Sequence, residues 1–298
     1  MKYKRFFETF FLLAIILIST SLANETTAFG NDKTIAFTSV PPIAYFIERI
    51  GGHEVQVESL LGPNDDPHAF EPKPRQMVAL SKARIYFSTN FPFETNILPK
   101  IKSSNPDLLV VDISSGAISM EDHDEKCQSS DPHIWTSPLV ALKIADDVYR
   151  SLAIVSPEGV EVYRKNYQDL LKDIVALDEE IWNILKAVRG KKFLVFHPAW
   201  GHFASDYGLI QVPIEVEGKE PKGAQLVRLI EEARREGINV IFVSPQHSKK
   251  GAQAVAKAIG AQIIEIDPLS KDWADNLKAV AKIFFEGVIN VPTKVSCL

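Results

Sequence analysis

Four short stretches carry the side chains that could do chemistry: GPNDDPHAFEP with His68, DPHIWTSP with His133, HPAWGHF with His197, and DPL with Asp267. Three imidazoles and a carboxylate make a natural tetrahedral or expanded site for a borderline divalent cation. Taken singly, each has a plainer reading. A histidine in a surface loop is commonly just solvated, and Asp before Pro, at Asp267 and again at Asp131, is ordinary turn chemistry. The chain holds 7 His in all, so three at the mouth of one expected cleft weigh toward a shared role. No Cys-x-x-Cys or His-Glu-x-x-His run adds a compact local motif. The catalytic alternative on the same residues is a zinc hydrolase or hydratase, with three His holding a metal-bound hydroxide and Asp267 as orienter or base. No nucleophile motif accompanies it.

The elements that must position these residues alternate between strand and helix. Strand signals run over 34–40, 54–61, 84–89 and 108–113, and again over 192–196, 209–216, 239–243 and 262–266. Helical spacing lies between them at 41–50, 73–83, a short stretch from about Phe93, and 137–155, then at 200–207, 223–236, 248–259 and 274–286. This alternation implies an α/β fold of two similar lobes, each with a mainly parallel four-stranded sheet covered on both faces. In open α/β sheets ligands gather beyond the carboxyl ends of the strands. All four candidate residues fall at such ends or in the loops beyond, two from each lobe, so the site is expected in the cleft between lobes.

Ser156 to Gly190 reads as one long helix between the lobes, with Ser156 as N-cap, Pro157 in the first turn and Gly190 as the left-handed stop. Val160, Tyr163, Tyr167, Leu170, Ile174, Leu177, Ile181, Ile184 and Val188 recur at spacings of three and four and form one apolar stripe. At about 1.5 Å per residue such a helix spans roughly 50 Å, enough to lie across two lobes as a strut. A coiled-coil dimer helix is the alternative that the same spacing permits. The expected organisation is a signal peptide over 1–28, an N-terminal lobe over 29–155, the linking helix over 156–190 and a C-terminal lobe over 191–298.

The signal peptide rests on Lys2, Lys4 and Arg5, the apolar run Phe10–Ile18 and the mostly small residues Ser19–Ala23. Glu8 is unusual in such a segment, and a retained anchor is the alternative. No Cys lies near the expected cleavage point, which argues against a lipid anchor and places the mature chain, soluble, in a periplasm-like compartment. The 298 residues carry a formal net charge of -5, which lacks the basic footprint of a nucleic-acid binder. The 2 cysteines, Cys127 and Cys297, are too few for a disulfide scaffold.

GPNDDPHAFEP, DPHIWTSP, HPAWGHFASDYGL and IGAQIIEIDPL resemble, in order and spacing, the metal-binding motifs of the solute-binding proteins of zinc and manganese ABC importers. By that resemblance His68, His133, His197 and Asp267 fall on the family's four metal ligands. Manganese-preferring members usually carry a carboxylate at the third position, so His197 points toward Zn2+, with Mn2+ or iron as the alternative load. The resemblance implies a monomer that captures the ion and delivers it to an ABC importer permease in the inner membrane, with no catalytic step; a cell-adhesion role is a further family possibility. Zinc-uptake members often have a His-rich acidic loop before the second ligand. Here Ser114 to Ser130 is acidic but holds only His123, and reads as a solvated loop. His202 and His247 are expected at the rim or behind the ligands, Glu265 away from the metal, and Asp65 and Asp66 as shapers of their loop or sources of negative potential near the cation.

Overall fold

The computed structural model describes residues 33–116, 131–215, 219, 221–247 and 249–289. The expectations placed on 1–28, His123, Cys127 and Cys297 lie outside them. The elements run β1 (Thr34–Thr38), α1 (Pro41–Gly51), β2 (Val55–Ser59), α2 (Pro74–Leu80), β3 (Ile85–Ser88), α3 (Pro92–Ser104), β4 (Leu109–Asp112), α4 (Pro138–Val155) and α5 (Val160–Leu185). The second half follows with β5 (Lys192–Val195), α6 (Gly201–Tyr207), β6 (Ile210–Pro213), α7 (Ala224–Arg235), β7 (Val240–Val243), α8 (Lys249–Ile259), β8 (Gln262–Glu265) and α9 (Trp273–Ile289).

Two four-stranded sheets share one plan, β2-β1-β3-β4 and β6-β5-β7-β8, with every neighbouring pair parallel. Burial follows position in the sheet. The inner strands β3 (IYFS) and β7 (VIFV) are buried at every residue, whereas the edge strands β4 and β8 are at most half-buried. Continuous apolar runs therefore end up in the middle and mixed ones at the edge, as parallel sheets with both faces covered require. Strand order reverses beside β1 and beside β5, the kind of switch point where α/β sheets open a crevice at their carboxyl ends.

The linking segment is more broken than its periodicity predicts. A 3-10 turn over Pro157–Gly159 precedes the 26-residue α5, and a second over Lys186–Val188 follows it. Ser156 caps no backbone amide; its hydroxyl donates to Glu158 Oε1 and accepts from Tyr163 Oη. The straight α-helix is thus about 39 Å long. Its stripe is buried at Tyr163, Leu170, Ile174, Leu177 and Ile181, and it packs on α1 and α4 from the first half and α9 from the second. α3 is longer than expected, 13 residues, and runs through Pro99. No helix among the described residues is long and apolar enough to cross a membrane.

One apolar cluster runs through both halves, and a second lies within the second half around Leu194, Ile241 and Ala252. Trp273 at the start of α9 lies against Tyr45 and Phe46 of α1, with ring centroids 5.6 and 4.8 Å away. Two indole hydrogen bonds cross the same seam: Trp135 Nε1 donates to the Pro268 carbonyl (2.7 Å) and Trp273 Nε1 to the Trp135 carbonyl (2.6 Å). Both tryptophans are almost fully buried, so these donors have no recourse to water.

Candidate metal centre

Three Asp-Pro-x tripeptides build the site, and each closes the same turn. Asp66 Oδ1 accepts from the amide of His68 (2.9 Å), Asp131 Oδ1 from that of His133 (3.0 Å) and Asp267 Oδ1 from that of Leu269 (2.8 Å). Such Asx turns fix the residue two positions on, and proline stiffens the middle of each. They hang from the carboxyl ends of the sheets, the loops after β2, β4 and β8. His197 needs no turn of this kind, since it lies two residues beyond the inner strand β5. The Phe196 amide before it donates to Phe242 of β7 (2.8 Å).

His68, His133 and His197 converge: one ring nitrogen from each lies within 4.8 Å of the other two. Their ring centroids are 5.2 to 6.1 Å apart. Hydrogen bonds select the nitrogens that face inward. His133 Nδ1 donates to Asp131 Oδ1 (2.7 Å) and His197 Nδ1 to Glu215 Oε2 (3.1 Å), which selects the tautomer whose lone pair is on Nε2. His197 Nε2 is buried with no hydrogen-bond partner, an unusual state for a polar atom unless something else binds it. Although the residue as a whole is exposed, desolvation of its ring, and then the neighbouring His197 and His133, hold the His68 imidazole down at about 4, so it is neutral at neutral pH. Neutral imidazoles are the form that ligates a cation.

Behind this triad sits a buried carboxylate. Glu94 is 1% exposed. Its Oε1 accepts from Ser39 Oγ, the Thr89 amide (3.1 Å) and Thr89 Oγ1 (3.0 Å); its Oε2 accepts from Ser88 Oγ and the Asn90 amide (2.8 Å). Ser39 follows β1 and Ser88 ends β3, so one side chain ties together the two inner strand ends. Asn90, held by it, has φ 64°, a left-handed conformation rare outside glycine. The chain then turns into Phe91, whose ring lies edge-on to His68 at 5.5 Å. Across the seam Gly201 admits the Asp131 carboxylate, since a Cβ there would lie 2.7 Å from its Oδ2.

Of the four residues singled out by sequence, the three histidines come together and Asp267 stands apart from them. Its Oδ1 accepts from Gln246 Nε2 (2.8 Å) as well as from the Leu269 amide, and burial raises its affinity for a proton. Gln246 Nε2 also reaches the Pro63 carbonyl in the His68 loop (2.8 Å), which links the turn at Asp267 to that loop. His202 lies behind His133, its Nε2 donating to the Asp131 carbonyl (3.0 Å). Glu265 pairs with Lys249 at the surface (2.5 Å), and Asp65 accepts the Gly62 amide (2.8 Å). Sequence reasoning passed over Glu215 by placing it inside a strand running to 216. β6 ends at Pro213, yet the amides of Ile214 and Glu215 still donate to Val195 and Phe196, and this draws Glu215 alongside His197. His247, expected at the rim or behind the ligands, stacks on the His197 ring at 4.2 Å between centroids.

The family model described as zinc-uptake complex component A, periplasmic, matches residues 37–286. Among curated proteins, the high-affinity zinc uptake system protein ZnuA of Bacillus subtilis (strain 168) is 28% identical over 294 residues, covering 92% of each chain. The zinc-binding lipoprotein AdcA of Streptococcus pneumoniae serotype 4 is 27% identical over 282 residues, 90% of this chain and 56% of that protein. A crystal structure of ZnuA superposes with a TM-score of 0.80 at 38% identity, over 86% of this chain and 99% of that one. The laminin binding protein Lmb of Streptococcus agalactiae shares the fold, with a TM-score of 0.75 at 24% identity over 86% of this chain and 100% of that one.

Proposed function

The chain belongs to the family of the periplasmic component A of zinc-uptake complexes, and from that premise we propose that it captures Zn2+ in the periplasm and delivers it to an ABC-type permease. The observation that carries this reading is the convergence of three imidazoles on one point, with His197 Nε2 buried and unpartnered. Three nitrogen donors suit a borderline ion such as zinc better than Mn2+, which favours oxygen. Asp267 is assigned the fourth position. It sits in the third Asp-Pro-x turn, and only its hydrogen bonds to Gln246 and Leu269 hold Oδ1.

Each ligand has a partner that keeps it ready. Asp131 and Glu215 fix two of the rings in the tautomer that presents Nε2, and Phe91 and Trp135 wall the His133 ring at 6.2 and 5.6 Å. Orientation in advance of binding reduces the ordering that the ion must impose. With four protein donors engaged the ion has no open position for a reacting molecule, and uptake needs no chemical step. Delivery requires only that the ion leave when the permease displaces one of the loops.

A competition titration against a chromophoric zinc chelator at neutral pH tests the reading. The wild-type chain is expected to take one equivalent of Zn2+. His197→Ala and His68→Ala should each weaken binding by more than a hundredfold, and Asp267→Asn by less. His197→Glu, which adds an oxygen donor, should weaken Zn2+ relative to Mn2+. Zinc affinity left unchanged by His197→Ala would end the assignment.

A further inference from the structure

His197 also belongs to a second cluster, in which Glu215 and His247 take the place of His68 and His133. One donor atom from each of His197, Glu215 and His247 again lies within 4.8 Å of the other two. Glu215 stands beyond β6, His197 beyond β5 and His247 beyond β7, so three adjacent strand ends of one sheet supply the group. Its parts are sequestered: the side chains of His197, Glu215 and His247 are 9%, 12% and 14% exposed. The His247 ring stacks on His197 at 4.2 Å between centroids. Asp66, in the first of the Asp-Pro-x turns, lies 3.9 Å from His247 Nδ1 and adds negative charge on the side facing the His68 loop.

Building on the zinc reading above, we propose that His197, Glu215 and His247 form a second cation position, built from two imidazoles and one carboxylate, that shares His197 with the capture site and is filled in alternation with it. The alternation follows from the chemistry of imidazole. A neutral ring has one lone pair and serves one cation at a time. The His197 Nδ1 that donates to Glu215 Oε2 lies on the Glu215 side of the ring. A cation that leaves His68 and His133 for Glu215 and His247 therefore uses Nδ1 once the ring proton has moved to Nε2, and the capture site then has no lone pair on His197. His68 and His133 come from the first half of the chain, whereas all three members of the second position come from the second half. Transfer between positions shifts the ion wholly onto one sheet, and the carboxylate makes the second position the harder of the two.

The test uses the full mature chain and removes the first position. His68→Ala/His133→Ala, checked for a wild-type circular dichroism spectrum, is titrated with Co2+ by visible absorbance and with Zn2+ by calorimetry. It is expected to bind one equivalent of either ion, at least tenfold more weakly than wild type. Adding His247→Ala, or separately Glu215→Gln, should reduce that residual affinity at least tenfold further. A folded His68→Ala/His133→Ala chain that binds neither ion overturns the proposal, as does residual binding that both further substitutions leave unchanged. Wild-type protein titrated in parallel keeps the two readings apart. Zinc bound by wild type but not by the double variant removes only the second position, whereas a wild type that binds no zinc removes the capture site itself.

Discussion

Replacing Glu94 should cost more stability than replacing any metal ligand, because its carboxylate is the acceptor for five donors in a place closed to water. In Glu94→Ala the three hydroxyls can rotate toward other acceptors, but the Thr89 amide cannot, and a stranded buried donor costs about 1–3 kcal/mol. The one lost methylene adds about 0.8 kcal/mol of burial. Asn90 loses the bond that holds it at positive φ, worth about another 1 kcal/mol. Relief from burying a charge offsets part of this, leaving a net loss of about 3 kcal/mol. Glu94→Gln keeps the volume and one acceptor oxygen. Its NH2 is best tolerated on the Ser88 and Asn90 side, where Ser88 can turn to accept and Asn90 is exposed, so about 1–2 kcal/mol is expected.

Equilibrium urea unfolding followed by far-UV circular dichroism at neutral pH measures both, with the loss read from the midpoint at constant m. Zinc affinity should fall in Glu94→Ala as well, since the Asn90–Phe91 corner that backs His68 is released. A loss below about 1 kcal/mol in Glu94→Ala, or a Gln variant less stable than the Ala variant, would refute the hydrogen-bond reasoning.

Gly201→Ala places a Cβ 2.7 Å from Asp131 Oδ2, so Asp131 must shift and loosen His133; zinc affinity is expected to drop roughly tenfold, as for loss of a partner behind a metal ligand, in the chelator competition. Trp135→Phe removes the indole donor to the Pro268 carbonyl and shrinks a buried ring; a loss of about 3 kcal/mol in urea unfolding is expected. Asp206 accepts from Ser137 Oγ (2.5 Å) at the N-terminus of α4, yet burial above all raises its pKa from 3.8 to about 6. The native chain then holds more protons than the unfolded one between those values, so this group's contribution to stability is greatest below pH 4 and declines as pH rises through 6. Relative to wild type, Asp206→Asn should therefore gain about 1–2 kcal/mol between pH 4 and pH 7 in urea unfolding, the full shift being discounted for partial exposure.

Much of this architecture is legible in the sequence because strand ends and helix caps are local chemistry. The runs IYFS and VIFV read as buried inner strands with no knowledge of their neighbours, and Pro41, Pro138 and Gly208 mark helix ends wherever the chain goes. His68, His133 and His197 are legible because each follows a strand, and parallel sheets send all their carboxyl ends to one side. What local signals miss is pairing across the fold. Nothing in DPHIW says that Asp131 turns back onto His133 while its carbonyl takes His202 from the other half. Glu215 looks like a strand residue because its amide does remain bonded to the sheet, and only the third dimension places its carboxylate against His197. The periodicity of 156–190 likewise overstates the helix, since a stripe at spacings of three and four continues through a 3-10 turn that a period alone does not resolve.

The seam between the two halves bears on how an ion could leave. Opening the halves would expose the Trp273 ring lodged on Tyr45 and Phe46, break two indole hydrogen bonds and part Ser137 from Asp206, all in one motion. Each buried hydrogen bond is worth about 1 kcal/mol and a fully buried large ring about 3 kcal/mol, so the sum rivals the stability of a whole domain. The His68 loop is held far more lightly. Pro63, Asn64 and Asp65 are exposed, and the loop meets the other half through the Gln246 bond to Pro63, the edge contact of the His68 and His197 rings and the distant pair of His247 with Asp66. The cheapest motion that frees an ion therefore lifts this loop and leaves the seam closed. It also removes His68 first, the one ligand that comes from an exposed residue, while His197 and its two neighbours on the second sheet stay in place.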